Sequence, residues 1–281
     1  MRKIQNFSYH NHTNFSDGKR SLEEMVAQAK KIGFCEMGVS DHMIIHKNIE
    51  QSPSWDMLHS RYAAAVYRND FKSCLSDFQK HCEHIRQVSK KENFKLYVGF
   101  EVDFFTYNGW LEELKEFLTQ LDYDYLVSGN HFMPNENGET IINIDCIKGR
   151  TDTVKNLSEY IVNHFDAMKK SAESGLYSFL AHIDYIRKLG DDISGPQKFV
   201  ENKSEVLNAL KKNNIGIEIS TKGLRKIGDF FPCSEILDEI AKLGIKTVIS
   251  DDAHNIDELG EDFDKAEDEL KKHNITQRLK F

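Results

Sequence analysis

The stretch FSYHNHTNFSDGKRS, residues 7–21, ends a short β-rich run on two histidines and passes into a Ser-Asp-Gly turn. Alternate residues of a strand point the same way, so His10 and His12 share a face. Asp17 follows within the turn. Ser21 and Glu24 then have the spacing of a capping box, and SLEEMVAQAKKIG carries a helical period that stops at Gly33. A strand, a turn rich in metal-binding side chains and a helix form one unit of a parallel α/β fold. One H-x-H pair is a weak signal by itself. Its meaning depends on whether the rest of the chain supplies partners.

The unit recurs. β-rich runs lie at 6–12, 35–42, 95–105, 123–132, 176–186, 215–220 and 245–254. Helical periods lie between them, at 110–121 and roughly 153–174, 198–213 and 233–243, and a charged amphipathic helix closes the chain near 261–273. Strand and helix alternating in this way predict parallel strands with crossover helices, and the seven runs predict seven such units. No Gly/Ser linker or composition break divides the chain, so residues 1–281 read as one domain. Two connections depart from the repeat. Residues 43–94 contain helical stretches around 56–69 and 71–92 and are expected to cover the barrel mouth, with Trp55 and Tyr62 at its rim. Residues 133–152 read as a polar, exposed loop.

Polar residues collect at the ends of these runs: His10 and His12, Asp41 and His42, Glu101 and Asp103, Asn130 and His131, His182 and Asp184, Asp252 and His254. The sixth run is followed by Lys222 and Arg225. In parallel α/β folds the carboxyl ends of the strands face one side, where sites form. Four of these pairs are two residues apart, so both members are expected to face the mouth. A single strand-end histidine is more often a hydrogen-bonded core residue than a ligand. Glu101, inside the apolar YVGFEVDFF, is harder to explain without a cation. Independent core histidines have no reason to choose the same end of successive strands, and the set reads as a metal cluster. His46, His59, His81, His84, His164 and His273 read as surface or packing residues. Cys35 and Cys146 read as small buried hydrophobes.

Composition narrows the rest. The 281 residues are 40% hydrophobic and 29% charged, with a net charge of -8, which disfavours a surface for long nucleic acid. Five cysteines without a C-x-x-C pair argue against a disulfide framework or a zinc ribbon. No apolar run approaches a membrane span and no signal segment is visible, so a cytoplasmic location is expected.

The H-x-H, the S-D-G turn, Asp41-His42, Glu101, His131, His182 and the final D-x-H together resemble the PHP superfamily, named for polymerase and histidinol phosphatase. HNHTNFSDGKRS with EISTKGLRK is similar to its histidinol-phosphate phosphatases. The resemblance implies a distorted TIM-like (β/α)7 barrel with a trinuclear site at the C-terminal ends of the strands. It implies His10, His12, Asp17, His42, Glu101, His131, His182, Asp252 and His254 as ligands, with Glu101 suited to bridging. Some members carry a histidine where this chain has Asp17. Imidazole and carboxylate ligands suit two to three Zn, Mn or Fe ions.

The implied reaction is metal-dependent hydrolysis of L-histidinol phosphate in histidine biosynthesis, by in-line attack of a metal-bridging hydroxide. His254, or a water held by Asp252, would protonate the leaving oxygen. Arg225 and Lys222 are the expected phosphate contacts, with Arg187 in reserve. Asp41, Asp103 and Asp184 are expected to orient imidazoles from behind, and Asp103 and Asp184 also to meet the substrate's amine. The rival readings are a PHP phosphoesterase acting on nucleotides or other small phosphate monoesters, an amidohydrolase, and a metal-binding protein without activity. Amidohydrolases usually place a bridging lysine at strand four, where this chain has Asn130-His131 and no lysine.

Overall fold

Seven parallel strands pair in chain order: β1 (Phe7–Ser8), β2 (Glu36–Val39), β3 (Lys95–Val102), β4 (Tyr125–Ser128), β5 (Phe179–Leu180), β6 (Gly216–Ser220) and β7 (Thr247–Ser250). The computed structural model describes residues 4–147, 157–190 and 196–281, with side chains from 203 onward in the last stretch. Past the strand ends, Asn11 bridges Ala253, His12 N donates to Ala253 O at 2.9 Å, and Ser8 Oγ donates to Asp251 Oδ1 at 2.9 Å. These bonds draw the first and last strands together, and the ring is nearly closed. The expected distorted TIM-like barrel of seven βα units is the observed fold.

The helices form where the periods lie: α1 (Leu22–Lys31), α2 (Leu75–Glu92), α3 (Trp110–Leu118), α4 (Leu157–Glu173), α5 (Pro196–Asn213), α6 (Ser234–Leu243) and α7 (Phe263–Lys272). The capping box of α1 is complete: Ser21 Oγ accepts from Glu24 N at 3.3 Å, and Glu24 Oε2 from Ser21 N at 2.9 Å. The first residues expected of α4, 153–156, lie outside the described residues. No helix among the described residues is long and apolar enough to cross a membrane.

The barrel interior is layered by the two-residue period of β3. Leu96, Val98, Phe100 and Val102 join the outer core, while Glu101 and Asp103 turn inward among polar groups. Below Glu101 the interior is apolar, filled by Phe7, Tyr9, Tyr125, Val127, Phe179, Ala181 and Val248. Phe281 packs on this layer, its ring 4.6 Å from Tyr9 and 4.8 Å from Tyr125. Tyr125 crosses the barrel, and its hydroxyl donates to Tyr9 O at 2.6 Å. Gly99 makes room for it, since a Cβ there would lie 2.3 Å from the Tyr125 ring.

The 43–94 connection divides into three parts. His42–Ile45 is a strand that continues from β2 and pairs with the outer end of β3, His42 opposite Glu101. Residues 75–92 are an ordinary barrel helix, burying Phe78, Cys82, Ile85 and Val88. Only the middle part, with the short helix Trp55–Arg61, lies against the mouth. Tyr62 sets its edge against the His42 ring at 5.0 Å, while Trp55 packs on Tyr67.

The expected exposed loop 133–152 is exposed only at Glu136 and Asn137 where it is described. Phe132–Pro134 pairs antiparallel with Ile141–Asn143, and a helical turn, Ile144–Ile147, follows. Ile141, Ile142, Ile144 and Ile147 are buried. The middle connection stitches the hairpin down: His46 Nε2 bonds Gly138 O at 2.8 Å, Ser52 Oγ donates to Ile141 O at 2.7 Å, and Asn143 N donates to Ser54 Oγ at 2.8 Å. Residues 148–152 lie outside the described residues. None of the five cysteines forms a disulfide. Cys35 is exposed, in the turn before β2, and Cys146 only half-buried, so neither is the buried hydrophobe expected.

Gly99→Ala is expected to lower stability by about 1–3 kcal/mol, because the added methyl overpacks a layer with no slack. Urea denaturation measures it, and an unchanged midpoint would mean that Tyr125 can shift aside.

Candidate metal centre

Above the aromatic layer the interior is polar. Glu101 is fully buried at its centre. Its Oε2 lies 3.2 Å from His10 Nε2, 3.4 Å from His12 Nε2 and 3.1 Å from His42 Nδ1. Its Oε1 lies 3.1 Å from His182 Nε2 and 3.6 Å from His131 Nε2. Asp252 Oδ1 is 3.1 Å from His12 Nε2 and 3.6 Å from His10 Nε2. Asp17 Oδ1 is 3.4 Å from His42 Nε2 and 3.2 Å from His254 Nε2. The nine residues singled out from the sequence therefore meet in one cluster.

Apart from the bond between His182 Nε2 and Glu101 Oε1, close approach is not hydrogen bonding here. His10 Nε2, both ring nitrogens of His12 and of His42, Asp17 Oδ1, Glu101 Oε2, Asp252 Oδ1 and His254 Nε2 are buried without a hydrogen-bond partner. Buried polar groups are rarely left so, because each loses its hydration. Orphans at this density indicate side chains aimed at shared points between them, as ligands are aimed at cations. Four combinations have that geometry: His12, Asp17, His42 and His254; His10, His182 and Asp252; His10, His12 and Glu101; and His42, Glu101 and His131. The donor set, imidazole and carboxylate without thiolate, fits a borderline divalent ion.

Electrostatics agree. Burial alone would raise the Glu101 carboxyl, but the charge of His10, His131 and His42 outweighs it and holds the group well below the usual carboxylate range. Asp252 is likewise held down against its burial by Lys222 and His10.

Local backbone sets these directions. Three non-glycine residues at strand ends have left-handed φ: Asn130 at 54°, His182 at 26° and Asp252 at 47°. Each such residue costs on the order of 1–3 kcal/mol and persists only where its surroundings hold it. His182 N donates to Glu218 Oε2 at 2.9 Å, which fixes that bend. In the S-D-G turn, a Cβ at position 18 would lie 2.7 Å from the His12 carbonyl, so only glycine fits.

The PHP domain pattern matches residues 8–222. The chain belongs to the PHP domain family. Asp252 and His254 lie beyond the matched span, yet the barrel returns them to the H-x-H of this PHP domain. A Thermotoga maritima protein named "Probable histidinol-phosphatase" is 24% identical over 269 residues, covering 95% of this chain and 91% of that one. One of the same name from Deinococcus radiodurans is 22% identical over 211 residues, 73% of this chain and 76% of that one. The histidinol phosphate phosphatase of Lactococcus lactis, solved with zinc, L-histidinol and phosphate, superposes with a TM-score of 0.70 at 19% identity. The match covers 99% of this chain and 97% of that one. At that identity the superposition establishes the shared fold.

Outside the cluster, the expected supporting residues divide. Asp103 accepts from His131 N at 2.6 Å and lies 3.2 Å from His131 Nδ1, so it orients that imidazole. Asp41 faces the other side of its strand. It accepts from Thr13 N and Thr13 Oγ1, both at 2.7 Å, and Ser16 Oγ at 2.5 Å, and meets His81 Nε2 at 2.9 Å. It therefore braces the turn that carries Asp17 and orients none of the nine. His81, read as background with the exposed His84, is buried for this contact. Asp184 points away from the mouth, accepting from Cys233 N at 2.9 Å beside Arg187. Strand β5 ends at Leu180, so the two-residue rule no longer governs position 184. Arg187 is occupied by Asp184, Asp229 and Phe230 O.

A pocket of about 270 Å³ opens at the mouth, lined by Asp17, Lys19, Arg61, Lys222, Arg225, Lys226, His254 and Glu258. Lys222 Nζ is 2.6 Å from Asp252 Oδ2. Arg225 lines the pocket while donating to Asp251 O at 2.6 Å and to Glu261 at 3.1 Å. Arg61 and Glu258 carried no strand-end signal in the sequence. Glu218 had one that went unread: a carboxylate in the apolar IGIEIS, as Glu101 is in its own run. Fully buried, it meets His10 Nδ1 at 2.6 Å and accepts from His182 N and Ser250 Oγ.

Glu218→Gln should weaken divalent-ion affinity about 10–100-fold, because it removes the acceptor that fixes the His10 tautomer. Titration against a chromophoric chelator measures this. Wild-type affinity would assign Glu218 to the fold alone.

Proposed function

We propose that this PHP domain is a phosphoric monoester hydrolase that binds two to three divalent ions and converts L-histidinol phosphate to L-histidinol and phosphate. The observation that carries the proposal is the cluster of orphaned imidazoles and carboxylates opening into a cation-lined pocket. Such a pocket suits a dianionic phosphate. The names of the two curated relatives, and the histidinol and phosphate of the Lactococcus lactis enzyme, support the substrate.

His10, His12, Asp17, His42, Glu101, His131, His182, Asp252 and His254 would hold the ions, Glu101 with a different oxygen toward each side. Zinc, manganese and iron(II) all suit this donor set. Bound divalent ions supply Lewis-acid charge on phosphoryl oxygens and a water acidified to neutral pH. The protein's own work is positioning and charge, which dominate phosphoryl transfer. Lys222 and Arg225 face the phosphate from the pocket wall. His254 Nδ1 is committed to Asp252 O at 3.0 Å, so its Nε2 either holds an ion or protonates the leaving oxygen, and does not do both. We assign it to an ion, which leaves the Lys222 ammonium as the side-chain proton closest to hand on the pocket wall. The acidic partner of the substrate's amine is Glu258 in place of Asp103 and Asp184, both turned to other work. Glu258 lines the pocket and accepts from His254 N at 2.6 Å.

Elemental analysis after reconstitution is expected to give two to three ions per chain, and Glu101→Gln to lose ions and turnover together. A content below one ion would overturn the cluster.

Histidinol phosphate should be hydrolysed with a higher kcat/KM than a neutral alcohol phosphate of similar size or a nucleotide, and a chelator should abolish all three activities. A preference for nucleotides would leave a phosphoesterase of this family with another substrate.

A further inference from the structure

Arg61 stands on the short helix over the mouth, and its guanidinium is divided between two carboxylates. Its Nε donates to Asp17 Oδ2 at 2.9 Å and its Nη1 to Asp145 Oδ2 at 2.9 Å. Asp17 turns its other oxygen to His42 and His254. Asp145, on the turn after the hairpin, gives its other oxygen to Lys188 Nζ and lies 3.3 Å from the Tyr185 hydroxyl. Burial would raise the Asp145 carboxyl, but Lys188 and Arg61 hold it well below the usual range. Asp145 thus serves two cations, while Asp17, the second carboxylate on Arg61, is shared with the ligand cluster. Both cations are on the mouth side of the cluster: Arg61 lines the pocket, and the Tyr185 ring beneath Lys188 packs 4.8 Å from His182.

Arg61 meets two different carboxylates, one through each nitrogen, and freed from Asp145 its planar fork has the donors for a phosphate oxygen. We propose that Asp145 is an internal stand-in for phosphate, and that the phosphate group of the substrate displaces it from Arg61 and Lys188. The inference rests on the phosphate-ester reading above. It assigns Arg61 as a phosphate-binding residue and Asp145 as its competitor. In the absence of phosphate the Asp145 carboxylate keeps two cations ordered that would otherwise repel. When phosphate enters, the doubly charged group outcompetes the singly charged one, and Asp145 is released.

The test is calorimetric titration of inorganic phosphate into the metal-reconstituted protein, with ion content measured on each sample. Asp145→Asn keeps the shape and removes the competing charge. It should bind phosphate about tenfold more tightly, while its thermal midpoint falls through loss of the Arg61 and Lys188 pairs. A merely structural residue would not raise affinity when replaced. Arg61→Met should bind phosphate about 10–100-fold more weakly, since a charge-assisted pair is lost. Unchanged or weaker phosphate binding by Asp145→Asn would overturn the proposal, whatever happens at Arg61. Because the probe is phosphate itself, failure to hydrolyse histidinol phosphate would revise the substrate without touching this result.

Discussion

A fully buried carboxylate without cations is among the least stable arrangements a protein can hold, and Glu101 is placed at the centre of the barrel, where its charge cannot escape to water. Much of the upper barrel can be read as an answer to that constraint. Five imidazoles from four strand ends converge on its two oxygens. Only His182 makes a hydrogen bond to the carboxylate, so the imidazoles alone leave Oε2 unsatisfied. Cations between the side chains would satisfy it, which ties completion of the core to completion of the site.

The layer beneath supplies the rigidity that such a site requires. Tyr125 spans the barrel and is seated by two glycines, Gly38 and Gly99, which have no room for a side chain. The polar layer above therefore rests on packed aromatic rings. Residues whose own partners fix them hold the ligands from behind: Glu218 for His10 and the His182 backbone, Asp103 for His131, and Asp41 for the turn before Asp17. Left-handed backbone at Asn130, His182 and Asp252 is a local cost that these contacts offset.

Charge is graded from the centre outward. Three carboxylates sit among six imidazoles in the cluster, while lysines and arginines ring the mouth above it. That order suits an anion that must approach ions through the mouth and leave again as product. Arg61, Lys222 and Arg225 are each held by carboxylates or a carbonyl, so the ring is preorganised and little side-chain entropy remains to be lost on binding.

The sequence by itself determined the seven strand–helix units and the polar strand ends, while the barrel and the set of nine, Asp17 included, came with the resemblance to the PHP superfamily. The units and strand ends follow from local rules: strand and helix periods set the units, parallel strands bring their carboxyl ends to one side, and apolar runs such as YVGFEVDFF make an inward carboxylate conspicuous. The same rule applied to IGIEIS would have found Glu218. It failed at Asp184, because a strand that stops at Leu180, four residues earlier, no longer dictates direction there. Only the tertiary structure decided the rest. Asp41 follows strand alternation away from the cluster, and its partner His81 comes from a helix 40 residues later. Arg61 reaches Asp17 across 44 residues, and Asp145 across 84. Such contacts depend on how a connecting segment folds back over the mouth, and no periodicity records where a loop comes to rest.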